Sequence, residues 1–446
     1  MSDHVAYALS AVDGRYAKAV INLKGIFSLY GITKFRVMVE IEYLIALLTQ
    51  LNIIHPDTDV AELRSVYANF CAADYSAIRV HELRCNHDIK AIEYFLQKRL
   101  ASMPYIKPEY IHFAVTSNDI NNTAIPLMMR TGVQNVYLPA LKAVIAHLKE
   151  IADNSMSVTM LSRTHGQPAT PTTLGKEICV FIERLCNQIR FFDRQGIYQA
   201  KFGGAVGNFN AHAVAYPNID WPKFADAFIE SLGLVRQQYT TQISHYDDLA
   251  EIFQCMSRIN VILIDLTRDI WGYISLGYFK LKVTQSEVGS STMPHKVNPI
   301  NFENAEGNLG LANATYSHLA EKLPISRFQR DLSDSTVLRN IGVPIGHSCV
   351  AFQSIICGLA QLYVNTDRIN KDLTDNWCVI AEGIQTILRR EGVPDAYEML
   401  KDVTRGTDSG TAESFAEFID TLAVSDAVKT ELKSLTPFNY IGVLPK

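Results

Sequence analysis

Between Asp247 and Phe279, apolar side chains return every three or four residues, at Leu249, Phe253, Met256, Ile259, Leu263, Leu266, Ile270 and Ile274. That spacing marks one face of an α-helix. A helix of this span is roughly 50 Å long, at about 1.5 Å of rise per residue. Such a rod is too long for ordinary packing in one small domain and calls for a bundle shared among subunits, with a monomeric long-helix scaffold as the plainer alternative. Glu251, Arg258, Asp265, Arg268 and Asp269 lie on the same stretch and argue against a lipid-facing cylinder.

Helical spacing recurs at Glu40 to Leu51, Asp88 to Leu100, Val136 to Ile151, Thr173 to Ala200 and Glu303 to Leu323. In the segment from Asp88, Ile89, Ile92 and Leu96 make one stripe and Lys90 and Lys98 lie off it. Alternating strands are scarce, and no strand leads through a glycine-rich turn into a helix, which argues against a doubly wound nucleotide fold. The fold class is therefore all-α. At 446 residues the chain exceeds a single ordinary domain. Met103 to Pro108 and the polar stretch Asn365 to Asp375 suggest boundaries that give an N-terminal helical region 1–108, a central long-helix region 109–366 and a C-terminal helical region 367–446.

The charge balance, 41 Lys+Arg against 46 Asp+Glu, disfavours a general nucleic-acid or anionic-membrane surface. No uninterrupted apolar run of spanning length stands out, and Met1 to Tyr16 has no apolar leader core. The eight cysteines (Cys71, Cys85, Cys179, Cys186, Cys255, Cys349, Cys357, Cys378) are scattered without a CxxC pair. Buried free thiols in a reducing cytoplasm are the simpler reading, with neither a disulfide lattice nor a zinc site.

Chemistry-bearing residues gather in a few polar runs. Gly289 to Pro299 reads GSSTMPHKVNP, two hydroxyls, a cation and an amide held between prolines. It is a poor helix interior lying between long helical patterns, as expected of a reactive loop that closes over an anion. Ser162 to Pro171 sets His165 among hydroxyls and amides, where its imidazole can accept or donate a proton near neutral pH. The plainer alternative is a structural histidine anchoring a loop. Thr116 to Asn122 precedes a helical pattern, so Thr116 and Ser117 beside exposed helix-start amides form a seat for a carboxylate or phosphate, or else a simple N-cap. Asn86, His87 and Asp88 open another helix, with the same alternative. In the run Arg327 to Arg339, Arg330, Ser335 and Arg339 offer two planar forks and a hydroxyl suited to phosphate oxygens. Arg15 and Tyr16 add a further pair. Either arginine set is otherwise a surface salt-bridge network.

These runs closely resemble the fumarase/aspartase lyase superfamily, whose shared loop is matched by GSSTMPHKVNP. The blocks NHD (Asn86 to Asp88), TSNDINN (Thr116 to Asn122), SRTHGQPATP (Ser162 to Pro171) and RFQRDLSDSTVLRN (Arg327 to Asn340) narrow the resemblance to the adenylosuccinate lyase family in its bacterial form. It extends from VDGRY at Val12 to Tyr16 through TPFNYIG at Thr436 to Gly442.

The resemblance implies a three-domain subunit with a central long-helix bundle, and a homotetramer whose active sites combine residues from three subunits. It implies elimination of fumarate from purine ribotides: adenylosuccinate to AMP, and the succinylaminoimidazole-carboxamide ribotide to the carboxamide ribotide. No metal, organic cofactor, nucleic acid or membrane is implied. By the same resemblance Ser290 is the general base and His165 the general acid. Lys296 and Asn298 hold the carboxylate that gathers charge, and Thr116 and Ser117, assisted by His87, bind the fumarate half. Arg15, Tyr16, Arg330 and the run Ser335, Thr336, Val337, Leu338 and Arg339 hold the nucleotide, with Asn86, Asp88, Gln242 and Asn304 as further contacts. A serine hydrolase is a weak rival because no GxSxG elbow is present. An inactive helical scaffold is another. Argininosuccinate lyase and fumarase are nearer competitors within the lyase class.

Overall fold

The computed structural model describes residues 7–55, 60–282, 293, 296–404 and 410–444. Helices dominate it. The apolar stripe forms the 30-residue helix Asp247–Leu276. Leu249, Phe253, Met256, Ile259, Leu263, Leu266 and Ile270 are buried on it, and Ile274, at the fraying end, is half-buried. Each buried Leu or Ile contributes about 1.5–3 kcal/mol. Glu251, Arg258, Asp265, Arg268 and Asp269 are exposed. Other segments of the same chain cover this apolar stripe.

The remaining helical expectations hold with shifted ends. The Glu40 pattern is the second half of Leu29–Gln50, which starts earlier because the Ser28 hydroxyl accepts the Gly31 N–H. Asp88–Arg99, Leu138–Ser155 and Ile300–Lys322 follow their patterns closely. The helix expected to reach Ala200 stops at Ile189, passes through a 3₁₀ turn at Arg190–Asp193, and is broken at Gly196, where φ is +77°.

Among the described residues, three two-stranded sheets punctuate the helices. The largest is an antiparallel hairpin, Thr159–Thr164 with Gln167–Thr173. Its strands bury Met160, Leu161, Pro171 and Thr173 and expose Arg163, Thr164, Gln167 and Thr170, so buried and exposed positions do not alternate with an apolar period of two. The short pairs Gln199–Ala200 with Val235–Arg236 and Phe279–Leu281 with Leu362–Val364 complete the set. They leave the all-α class intact.

The chain falls into two compact units. One comprises Met1–Lys142, Gln188–Val261 and Gly307–Gln353; an aromatic cluster of Tyr43, Phe202, His212, Trp221, Phe224 and Phe228 lies in its core. The other comprises Ala143–Asn187, Ile262–Glu306 and Ser354–Lys446, with Leu174, Ile178, Phe279, Ile384, Leu388 and Phe415 buried in it. No disulfide occurs among the described residues, and of the cysteines only Cys255 and Cys349 are buried, fewer than the sequence suggested. The stretch Ser333–Gln361 is long and apolar enough to cross a membrane by length and composition, a span the sequence reading passed over. In it 67% of the apolar window is buried inside the protein, as in a core helix.

Candidate active site

Within the first unit, a cavity of about 370 Å³ gathers several of the sequence candidates. Asn86, His87, Asp88, Ser117, Arg330, Ser335, Leu338 and Arg339 line it, together with Arg36, Asn121 and Tyr246. Local backbone rules bring the first group there. Asn86 ends the helix Ala72–Cys85 in the left-handed conformation, φ +51°, donating its N–H to Glu82 O, a conformation Asn tolerates better than most residues. His87 then caps the next helix, its Nδ1 accepting the Lys90 N–H at 3.0 Å. His87 therefore both caps this helix and lines the cavity wall.

Arg36, in the middle of Leu29–Gln50, was missed by sequence reasoning. Its Nη2 lies 3.0 Å from Asp88 Oδ2, and its Nε donates to Asn121 Oδ1 at 2.8 Å. Burial pulls the Arg36 pKa down, Asp88 opposes that, and nearby Arg339 adds to the depression. Burial works against the Asp88 anion, but Arg36 and the Ile89 N–H outweigh it and hold its pKa below the ordinary value. Tyr246 and Asp334 form a second wall: Asn122 donates to the Tyr246 hydroxyl at 2.7 Å, and that hydroxyl donates to Asp334 at 2.8 Å. Asp334 is thereby satisfied by protein donors.

Arg330 and Arg339 make no ion pair with a described carboxylate. Arg330 lies 3.5 Å from Gln242 Oε1, which brings Gln242 to the cavity through that arginine. Two guanidinium forks without a described carboxylate partner, beside Ser335, make a seat for a multiply charged oxyanion. Thr336 is exposed and Val337 half-buried, and neither lines the cavity. Arg15 is exposed and Tyr16 half-buried on an N-terminal turn, also outside the lining. The neighbouring Val12 and Asp13 share a second cavity, of about 300 Å³, with Arg339. Thr116 lies behind Ser117 and is tied to Asp119.

In the second unit, His165 and Gly166 are the two central residues of the hairpin turn, with φ of +52° and +75°. Positive φ at both positions is the type I′ geometry favoured by two-residue hairpins. Glycine takes it freely, whereas histidine does so at a cost. The imidazole is consequently carried at an exposed tip, a strained placement of the kind that accumulates at functional sites. The hairpin is anchored by Arg163 to Asp372 at 3.0 Å, by the Thr170 hydroxyl to Glu382 at 2.6 Å, and by the Thr159 hydroxyl to Phe438 O at 3.0 Å.

Ser290 lies outside the described residues, as do Gly289, Ser291, Thr292, Pro294 and His295. Lys296 is exposed and Asn298 half-buried on the lead into Ile300–Lys322. Asn304, in that helix, accepts the Ser354 hydroxyl at 2.9 Å. Among the described residues, no group of three or more His, Cys, Asp or Glu side chains is placed to hold a metal ion.

Solved structures with this fold include a fumarate lyase from Mesorhizobium sp. BNC1, at TM-score 0.75 and 19% identity over 95% of each chain. A 3-carboxy-cis,cis-muconate lactonizing enzyme from Pseudomonas putida matches at TM-score 0.74 and 20% identity, over 95% of this chain and 94% of the other. These likenesses show a shared fold. A family model described as lyase matches residues 14–312, and one described as adenylosuccinate lyase C-terminal matches residues 326–441. The chain is 52% identical to adenylosuccinate lyase of Dictyostelium discoideum, over 98% of this chain and 97% of the relative. It is 49% identical to that of Escherichia coli (strain K12), over 98% and 96%. This chain belongs to the adenylosuccinate lyase family.

Proposed function

We propose that the chain eliminates fumarate from adenylosuccinate to give AMP, and from the succinylaminoimidazole-carboxamide ribotide to give the carboxamide ribotide, in the cytoplasm and without a metal or organic cofactor. The observation that carries this reading is the cavity in which Arg330, Ser335 and Arg339 stand opposite Asn86, His87 and Ser117. Its guanidinium forks suit a nucleotide phosphate, and its hydroxyl and helix-start amides suit a carboxylate. Arg15, Tyr16, Gln242, Asn304 and the backbone around Thr336, Val337 and Leu338 complete the ribotide contacts in this reading.

The chemistry removes a weakly acidic C–H proton beside a carboxylate and then breaks a C–N bond. Ser290 takes the proton, and the electron pair is held as an aci-carboxylate dianion by Lys296 and Asn298. Collapse of that dianion forms the fumarate double bond and expels the nitrogen, to which His165 gives a proton so that it does not leave as an anion. A serine is a poor base unless its alkoxide is stabilised, so loop closure around the bound anions is the step that activates Ser290.

The same reading keeps the three-domain plan, 1–108, 109–366 and 367–446, and a homotetramer in which subunits share active sites. Exposed Val261 and Trp271 on Asp247–Leu276, and Ile300 and Leu311 on Ile300–Lys322, favour burial of these helices against other copies. The test is incubation of the chelator-treated protein with adenylosuccinate, argininosuccinate and malate in parallel. Equal release of AMP and fumarate from the first alone is expected. Turnover of either other substrate instead, or dependence on an added metal, overturns the assignment.

A further inference from the structure

Thr116 and Ser117 are adjacent hydroxyl residues at the start of Ser117–Gly132, yet the fold treats them differently. One carboxylate, Asp119, lies beneath them and is fully buried. Its Oδ1 accepts from Lys201 Nζ at 2.7 Å, from the Gly203 N–H at 2.8 Å and from the Gly204 N–H at 3.0 Å. Its Oδ2 accepts from the Thr116 N–H at 2.8 Å and from the Thr116 hydroxyl at 3.0 Å. Lys201 is itself fully buried and spends a second proton on Gly204 O at 2.6 Å. Burial works against the Asp119 anion, but Lys201 and the N–H donors outweigh it and keep its pKa below the ordinary value.

A carboxylate has no hydrogen to give, so the Thr116 hydroxyl is the donor in its contact with Asp119. Its single hydrogen is committed to the protein interior. With that hydrogen committed, the Thr116 oxygen keeps only lone pairs, which repel a carboxylate. Ser117 has no hydrogen-bond partner for its hydroxyl among the described residues, and it, not Thr116, lines the cavity.

We propose that Asp119, locked by Lys201, is a positioning residue that turns the Thr116 hydrogen inward and leaves Ser117 as the hydroxyl donor of this loop to the substrate carboxylate. The inference rests on the lyase reading and refines which group recognises the succinyl half. It also accounts for the pair of consecutive N–H groups at Gly203 and Gly204. They complete the acceptor demand of a buried anion that is costly to leave unsatisfied.

The experiment uses full-length protein, adenylosuccinate as substrate and fumarate as product inhibitor. Ser117→Ala removes a hydrogen bond to a charged group, so fumarate inhibition should weaken roughly 10- to 100-fold. Thr116→Val should weaken it much less. In Asp119→Asn, the new amide keeps its oxygen toward Lys201 and turns its NH₂ toward Thr116. That NH₂ donates to the Thr116 oxygen, leaves the Thr116 N–H without its acceptor, and frees the hydroxyl hydrogen for another acceptor. Adding Thr116→Val in this background should then weaken inhibition about as much as Ser117→Ala does. A merely structural Asp119 would lower turnover without moving the Thr116 dependence. Equal weakening by Thr116→Val and Ser117→Ala in the otherwise native protein overturns the inference, and that comparison stands even where Asp119→Asn does not fold. Absent turnover of adenylosuccinate by the native chain overturns the lyase reading and takes this inference with it.

Discussion

Arg36 and Asp88 meet at 3.0 Å in the wall of the arginine-lined cavity. Arg36 comes from the middle of one helix and Asp88 from the first turn of another, so their contact fixes the wall on which Asn86 and His87 sit. Arg36 also reaches Asn121 on the helix that begins at Ser117. A single guanidinium thereby ties its own helix to two helices that carry candidate binding residues.

Removing that guanidinium should cost stability in a pH-dependent way. Folding lowers the Asp88 pKa. Its contribution is therefore fully present above the unfolded value, about 3.9, and is lost as pH falls through the lower folded value. Arg36→Met should lose about 1–3 kcal/mol at neutral pH, and the difference from the native protein should shrink on acidification. Urea unfolding of both proteins at neutral pH and near pH 3 checks this; a constant difference contradicts the assigned pair.

Ser290→Ala and His165→Ala should each retain the fold and reduce turnover by roughly 10²–10⁴-fold. Exchange of the substrate Cβ proton with solvent should vanish in Ser290→Ala. Near-native turnover in either purified variant removes that residue from its role.

Arg330→Ala and Arg339→Ala act on the unpaired cations of the cavity and should raise KM for the ribotide roughly 10- to 100-fold. A substrate fragment without the phosphate should be far less affected. If the fragment suffers equally, the two arginines do not read phosphate.

Mixing inactive Ser290→Ala with inactive His165→Ala, under conditions that let subunits exchange, should restore part of the activity. In a shared site, one subunit supplies an intact Ser290 beside an intact His165 from another. No recovery despite demonstrated exchange, or an active monomer by light scattering, counts against sites built between subunits.

Much of the fold was visible in residue order, because a helix is a local structure whose buried face repeats along the chain. The stripe from Leu249 to Ile270 and the shorter one at Ile89, Ile92 and Leu96 therefore announced their helices before any contact was known. The polar runs stood out for a related reason: hydroxyls, amides and prolines at helix starts and in loops are poorly explained by packing. The hairpin around His165 carried no such mark. Its buried positions, Met160, Leu161, Pro171 and Thr173, do not alternate regularly, and its two-residue turn has positive φ at a histidine while Arg163, Thr170 and Thr159 are held by residues distant in sequence.

Residue order alone determined the long helices, the chemical types gathered in each polar run and the resemblance they carry. It did not determine which side chains those types would meet. Arg36 looks like any cation in helical text, and Lys201 stands 82 residues from the carboxylate that it holds. Thr116 and Ser117 are nearly equivalent as letters. Burial of Asp119 beneath one of them separates their roles, since a hydroxyl has one hydrogen and the folded chain decides where it points.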